Sequence, residues 1–157
     1  MNIRIANLDD APRIFEILDE VAPEIPLLLD TEARQARVKE IVHERIESQS
    51  SLVAINGSDL VLGFILVELK TIGIVSRDHL YLAYICVSKS CRNQGISTHL
   101  IEKMKERKLP LTAIVKRCNT SVMIDRFMNA GFEVKYENIA EQGFVWYPEC
   151  IRNNDLI

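Results

Sequence analysis

The sequence predicts one α/β domain, a mixed β-sheet with helices on both faces. Three observations carry this. Strand-length apolar runs alternate with segments of helical apolar spacing, in the order β-α-α-β-β-β-α-β-α-β-β. The chain has 157 residues, the size of one domain and enough to bury about 68–70% of its unfolded surface. It is 48% hydrophobic and 26% charged, an ordinary globular composition, and it shows no repeat, low-complexity run or linker.

The elements follow in order. NIRIAN (residues 2–7) reads as a short first strand. Asp9 or Asp10 is placed to cap a helix with Pro12 in its first turn. Ile14, Ile17, Leu18 and Val21 then recur at helical spacing. VAPEIPLLLD (residues 21–30) is apolar but broken by prolines. Thr31 opens a second helix, with Val38, Ile41, Val42 and Ile46 on one face. SLVAI and LVLGFILVEL flank Asn56-Gly57, a hairpin signal. The second of these strands is apolar throughout, so both its faces are expected to be covered. HLYLAYICV (residues 79–87) is a further strand, and a helix runs from Ile96 to about Arg107, with Pro110 closing that region. LTAIVKR is a strand, residues 121–130 a helix, and Gly131 its C′ residue. FEVKYE and GFVWYP read as a closing antiparallel pair, and the tail IRNNDLI as loose.

Bulk properties narrow the function classes. The net charge is −3 and the sequence pI about 5.7, which argues against nucleic acid as the partner. The densest basic run, KMKERK (residues 103–108), reads as a solvated helix end favoured by the dipole. Four cysteines and three histidines have no metal or redox spacing, so no metal site is expected and the thiols read as reduced. The opening MNIRIANLDD has acids where a signal peptide needs an apolar run, and no apolar stretch is long enough to span a bilayer. A cytoplasmic protein without a membrane partner is the expectation.

The stretch SKSCRNQGISTHL (residues 88–100) carries the chemistry. A strand runs into Arg92, Asn93, Gln94, Gly95, Ile96 and Ser97, and then at once into an amphipathic helix. Gly95 lets the backbone approach a ligand without a Cβ. The unpaired N–H groups and positive dipole end of the helix favour an anion at the same spot. Ser97 keeps the approach open, and Arg92 is suited to a phosphate. The hexapeptide pattern alone occurs by chance in about one chain in five of this length; its place between strand and helix gives it weight. A P-loop or a Rossmann fingerprint fits less well.

The chain resembles the GNAT superfamily of N-acetyltransferases over nearly its whole length. IRIANLDDAPRIFEIL is similar to that family's opening strand and helix. YICVSKSCRNQGISTHLIEKM is similar to its acetyl-CoA-binding segment, and NTSVMIDRFMNAGFEV to its later asparagine, helix and Gly-Phe. The resemblance implies a mostly antiparallel sheet with a splay between strands four and five, in a domain over residues 1–148 followed by a tail over 149–157. It implies acetyl-CoA as donor, its pyrophosphate held by the amides of residues 92–97. It also implies that Ile85, Cys86 and Val87 pair with the pantetheine, near a strand-four bulge whose N–H receives the oxyanion. Asn119 and Phe127 fall at the family's cofactor-side asparagine and general-acid positions. Asn119 is one residue out of the common spacing and reads equally as part of a helix cap. Phe127 stands where a tyrosine is usual and has no proton to give.

Acetyl transfer to an amine needs a neutral amine, donors for the oxyanion and tolerance of a departing thiolate. Period-two alternation puts His79, Tyr81 and Ala83 on one face of strand four. His79 is a candidate base or a strand-edge cap, and Tyr81 a candidate or a core residue. Glu68 is a further candidate from strand three. Ile25, Leu27, Leu28 and Leu29 read as an acceptor wall or as helix packing or a homodimer contact, and Glu24 and Asp30 as attractors of a cationic amine. Two functions remain open: transfer of acetyl from acetyl-CoA to a primary amine, or a non-catalytic acyl-CoA-binding or regulatory module. A generic α/β domain that uses Gly95 only to turn is the bland third.

Overall fold

A computed structural model describes residues 1–25, 27–119 and 122–152. Its elements are β1 (Asn2–Ile5), α1 (Ala11–Val21), α2 (Glu32–Glu47), β2 (Leu52–Ile55), β3 (Val61–Lys70), β4 (His79–Val87), α3 (Ile96–Lys105), β5 (Leu111–Lys116), α4 (Met123–Asn129), β6 (Glu133–Glu137), β7 (Glu141–Trp146) and α5 (Glu149–Arg152). The strands form a seven-stranded sheet in the order β1-β2-β3-β4-β5-β7-β6. All pairings are antiparallel except β4 with β5. This is the mixed, mostly antiparallel sheet expected from the sequence.

Each face of the sheet carries a core. On one face, Leu100, Ile101 and Met104 of α3 and Phe127 of α4 pack on Ile65, Val67, Leu80, Leu82 and Ala113. On the other, Ile14, Ile17 and Leu18 of α1 and Val38, Val42 and Ile46 of α2 pack on Val53, Phe64 and Leu66. Neighbouring residues of β3 thus feed opposite cores, which explains its unbroken apolar run. Each such side chain contributes about 1.5–3 kcal/mol on burial.

The helix termini show why the chain stops and starts where it does. Thr31 caps α2 by accepting the Arg34 N–H at 3.1 Å. At the start of α1 the expected aspartate cap is replaced by another device. Asn7 caps a 3-10 turn (Leu8–Asp10), and the Asp10 carboxylate reaches back to the Asn7 N–H at 2.9 Å. Asp10 is buried and grips Arg4 through two hydrogen bonds of 2.7 and 2.9 Å, so its side chain is held by β1 instead of the helix. α4 ends in a Schellman motif. Gly131 (φ 86°) follows it, Phe132 N–H donates to the Phe127 carbonyl, Gly131 N–H donates to that of Met128, and the Phe127 and Phe132 rings stack at 4.9 Å.

Three local expectations change. The β2–β3 turn spans residues 56–60: Asn56 Oδ1 accepts from Ser58 and Leu60, and the left-handed residue is Asp59 (φ 63°). An Asx side chain, not Gly57, therefore closes the hairpin. The tail is ordered at its start, where Ile151 is buried in α5. Thr120 and Ser121, read from sequence as part of a helix cap and helix start, lie outside the described residues, and α4 begins at Met123.

Candidate active site

The site is built by strands that part. β4 and β5 are in register only at Leu80 with Leu111 and Tyr81 with Thr112, and β4 then runs on alone on that side to Val87. A sheet strand with one unpaired edge exposes backbone donors and acceptors. A bulge falls in the same stretch. Leu66 pairs with Tyr84 and Val67 with Leu82, so Ala83 is the extra residue. The bulge reverses the alternation: Leu80 and Leu82 face the α3 core and Ile85 and Val87 pack against it, while Tyr84 and Cys86 turn toward α1 and α2. The bulge expected near Val87 thus lies four residues earlier, and Val87 itself pairs regularly with Gly63.

Two cavities occupy the parting. The first, of about 310 Å³, is lined by the turn residues Arg92, Asn93, Gly95, Ile96 and Ser97, with Cys91, Ile85, Cys86 and Val87 along β4. The second, of about 320 Å³, lies between residues 81–86 of β4 and 113–116 of β5, with Arg45, Asn119 and Phe127 also on its wall. Ile25, Ile85, Cys86 and Met123 border both. The two cavities therefore meet along the free edge of β4.

The turn has the geometry of an anion cradle. Asn93 (φ 65°) and Gly95 (φ 74°) are both left-handed, and Gly95 is the N-cap of α3. No side chain caps that helix start, so its first N–H groups remain for a ligand. His99 Nδ1 sits 2.7 Å from the Gly95 carbonyl oxygen and donates to it, holding the turn. Gln94 is exposed.

Arg92 meets an unexpected partner. Its guanidinium donates to both carboxylate oxygens of Glu24, at 3.0 and 2.7 Å. The Lys89 N–H donates to Glu20. The Arg92 hydrogen bonds hold the Glu24 carboxyl below its ordinary range. Glu24 pairs with Arg92 in this structure instead of standing free for a cationic amine; Asp30 likewise pairs with Arg34 at 2.5 Å. Ile25 and Leu27 do both things expected of that segment: they pack on the α1–α2 core and line the cavities, while Leu28 is exposed.

The candidate bases fare differently. His79 is only 1% exposed, its Nδ1 is 2.7 Å from the Arg77 carbonyl, and it is not among the residues lining either cavity. It lies at the start of β4, before the strands part, so the structure does not bring it to the cleft. Glu68 pairs with Arg45 at 3.1 Å. Tyr81 does line the second cavity, and burial pushes its phenol above the usual value. A protonated phenol there is a donor, not a base. Phe127 is 2% exposed, in an aromatic cluster with Phe132 and Phe144, and forms part of the second cavity's wall.

Tyr84 and Arg45 were missed from sequence. Tyr84 lines the second cavity, its side chain turned toward α1 and α2 past the bulge, and burial raises its phenol too. Arg45 comes from α2, far along the chain, and nothing local marks it. Among the described residues no group of three His, Cys, Asp or Glu is placed to hold a metal ion, and no helix is long and apolar enough to cross a membrane.

Comparison with known proteins agrees with this geometry. The acetyltransferase (GNAT) domain family matches residues 25–149, and the chain belongs to that family. It is an acetyltransferase. A comparison with curated proteins gives no match. Among solved structures, PaiA N-acetyltransferase from Thermoplasma acidophilum in complex with coenzyme A superposes with a TM-score of 0.70 at 21% identity, over 93% of this chain and 98% of that one. A GNAT-family acetyltransferase from Bacillus cereus gives 0.69 at 19%, over 94% and 96%. One from Listeria monocytogenes gives 0.71 at 15%, over 93% and 94%. At these identities the likeness is one of fold.

Proposed function

We propose that the chain moves an acetyl group from acetyl-CoA directly to a primary amine on a small molecule or a protein. The observation that carries this is the free edge of β4 beyond Tyr81, leading into the left-handed turn at Asn93 and Gly95. The diphosphate would lie on the amides of residues 92–97, with Arg92 turning from Glu24 to a phosphate oxygen. The pantetheine amides would pair with residues 85–87. The thioester would then fall where the two cavities meet, and the amine would enter from the second.

The chemistry follows from that placement. A backbone N–H freed by the Ala83 bulge would receive the oxyanion. Phe127 supplies no proton, and Tyr84, protonated by burial and next to Ile85, would donate to the leaving thiolate instead. The amine would shed its proton to water in the second cavity, since Glu68 pairs with Arg45 and lines neither cavity. The setting proposed is the cytoplasm, where the four free cysteines stay reduced.

Calorimetric titration with acetyl-CoA tests the donor, and thiol release across a panel of primary amines tests the transfer. Absence of micromolar binding would remove the reading. Binding without release on any amine would remove the amine as acceptor. Tyr84→Phe should lower kcat by about 10²-fold or more while leaving acetyl-CoA affinity nearly constant.

A further inference from the structure

We propose that Arg45 makes the second cavity selective for an amine acceptor that also carries a carboxylate. The inference rests on the transferase reading for the amine, but the carboxylate subsite stands on its own observations.

Arg45 sits in the last turn of α2 and lines the second cavity. Its Nη2 donates to Glu68 at 3.1 Å, and its Nη1 comes no nearer than 3.8 Å to Glu44. Its Nε is buried and has no hydrogen-bond partner. A buried donor without an acceptor is costly to keep. That N–H is closed to solvent in this structure, so a ligand oxygen entering the second cavity meets it only after the guanidinium turns; the guanidinium itself lines the cavity.

The rest of the wall is mostly apolar, with a few donors set in it. Tyr81 and Lys116 line the same cavity. Lys70 lies with its ammonium 4.5 Å from the Tyr81 ring centroid. The nearby acids are already engaged: Glu68 by Arg45, and Glu141 by the Tyr136 hydroxyl at 2.6 Å. Set among apolar side chains, Arg45, Lys116 and the Tyr81 hydroxyl suit an anionic oxygen ligand. Glu68 and Glu141 both act on the Tyr81 phenol, and their negative charge opposes a doubly charged group more than a carboxylate. The acceptor would be oriented by its carboxylate at Arg45 and would present its amine toward Ile85 and Cys86.

Two readouts test this. The first is calorimetric binding of a panel of N-acetyl amino acids and their carboxamides, which are product forms with and without the charge. The second is thiol release from acetyl-CoA with α-amino acids and with the matching amines that lack the carboxylate. In the native protein at least one acid should bind about tenfold or more tighter than its amide. Arg45→Met should reduce that ratio to about twofold or less, and Arg45→Lys should restore part of it. Circular dichroism checks that each variant folds; if Arg45→Met does not, the native ratio and Arg45→Lys decide. Equal binding of every acid and amide by the native protein, or an unchanged ratio in the variants, would overturn the inference. Carboxylate preference without thiol release would keep the subsite and remove the transferase reading. Thiol release with no carboxylate preference would do the reverse.

Discussion

The Arg92–Glu24 pair sets a measurable competition at the donor site. A diphosphate bound at residues 92–97 draws Arg92 away from Glu24. The gain is a charge-assisted hydrogen bond, about 1.5–3 kcal/mol. The loss is an ion pair whose side chains are 38% and 26% exposed, which solvent screening reduces to about 0.2–1 kcal/mol. The difference, about 0.5–2.8 kcal/mol, means that Arg92→Gln should weaken coenzyme A binding by about 2- to 100-fold. Glu24→Gln removes the competitor and should tighten binding by up to about fivefold. The sign of the pH effect follows from the depressed Glu24 carboxyl. Its pair is present above the ordinary carboxylate value of 4.5 and is lost only as pH falls through the lower folded-state value. Coenzyme A affinity should therefore show no Glu24 titration between about pH 5 and 8. Isothermal calorimetry on native protein and both variants, at two salt concentrations, reads all of this. An Arg92→Gln variant that binds coenzyme A within twofold of native would refute the reasoning.

Three further outcomes are expected. Gly95→Ala forces a side chain into φ 74° at a cost of about 1–2 kcal/mol. The added Cβ meets only His99, at 3.4 Å, so strain and not collision decides, and melting should fall by about 2–8 °C, with coenzyme A binding weakened. Asp10→Asn should cost about 2–3 kcal/mol in urea unfolding at pH 7, since two Arg4 hydrogen bonds lose their charge. Burial pushes the Asp10 carboxyl up, but Arg4 and the Asn7 N–H outweigh it and hold it below 3.8, so this gap should narrow as pH falls below 3.8 toward the folded-state value; a gap that does not narrow below pH 3.8 would contradict the assignment. Phe127→Tyr places a hydroxyl among Phe132 and Phe144, and should destabilise by about 1–3 kcal/mol without speeding thiol release. A tenfold faster variant of native stability would show that the missing acid belongs there after all.

The legible features were those that local chemistry decides. Gly95 before an amphipathic segment marks a bare-backbone turn into a helix, and Gly131 marks a helix end. The apolar run of β3 announced a strand covered on both faces. The resemblance to the family added the splay between β4 and β5. What escaped was set by partners distant in the chain. His79 and Tyr81 share a face by alternation, yet only Tyr81 reaches the cleft, because the strands part just beyond it.

By itself, then, the sequence determined the order of elements, the two apolar faces and the strand-turn-helix at residues 92–97, since each depends on neighbours within a few positions. Tertiary structure alone decided that Ala83 bulges, that Glu24 claims Arg92 from 68 residues away, and that Arg45 of α2 lines the second cavity. The physical reason is that a pleat or a helical turn is written in periodicity, whereas a register shift and an ion pair exist only once separate segments have met.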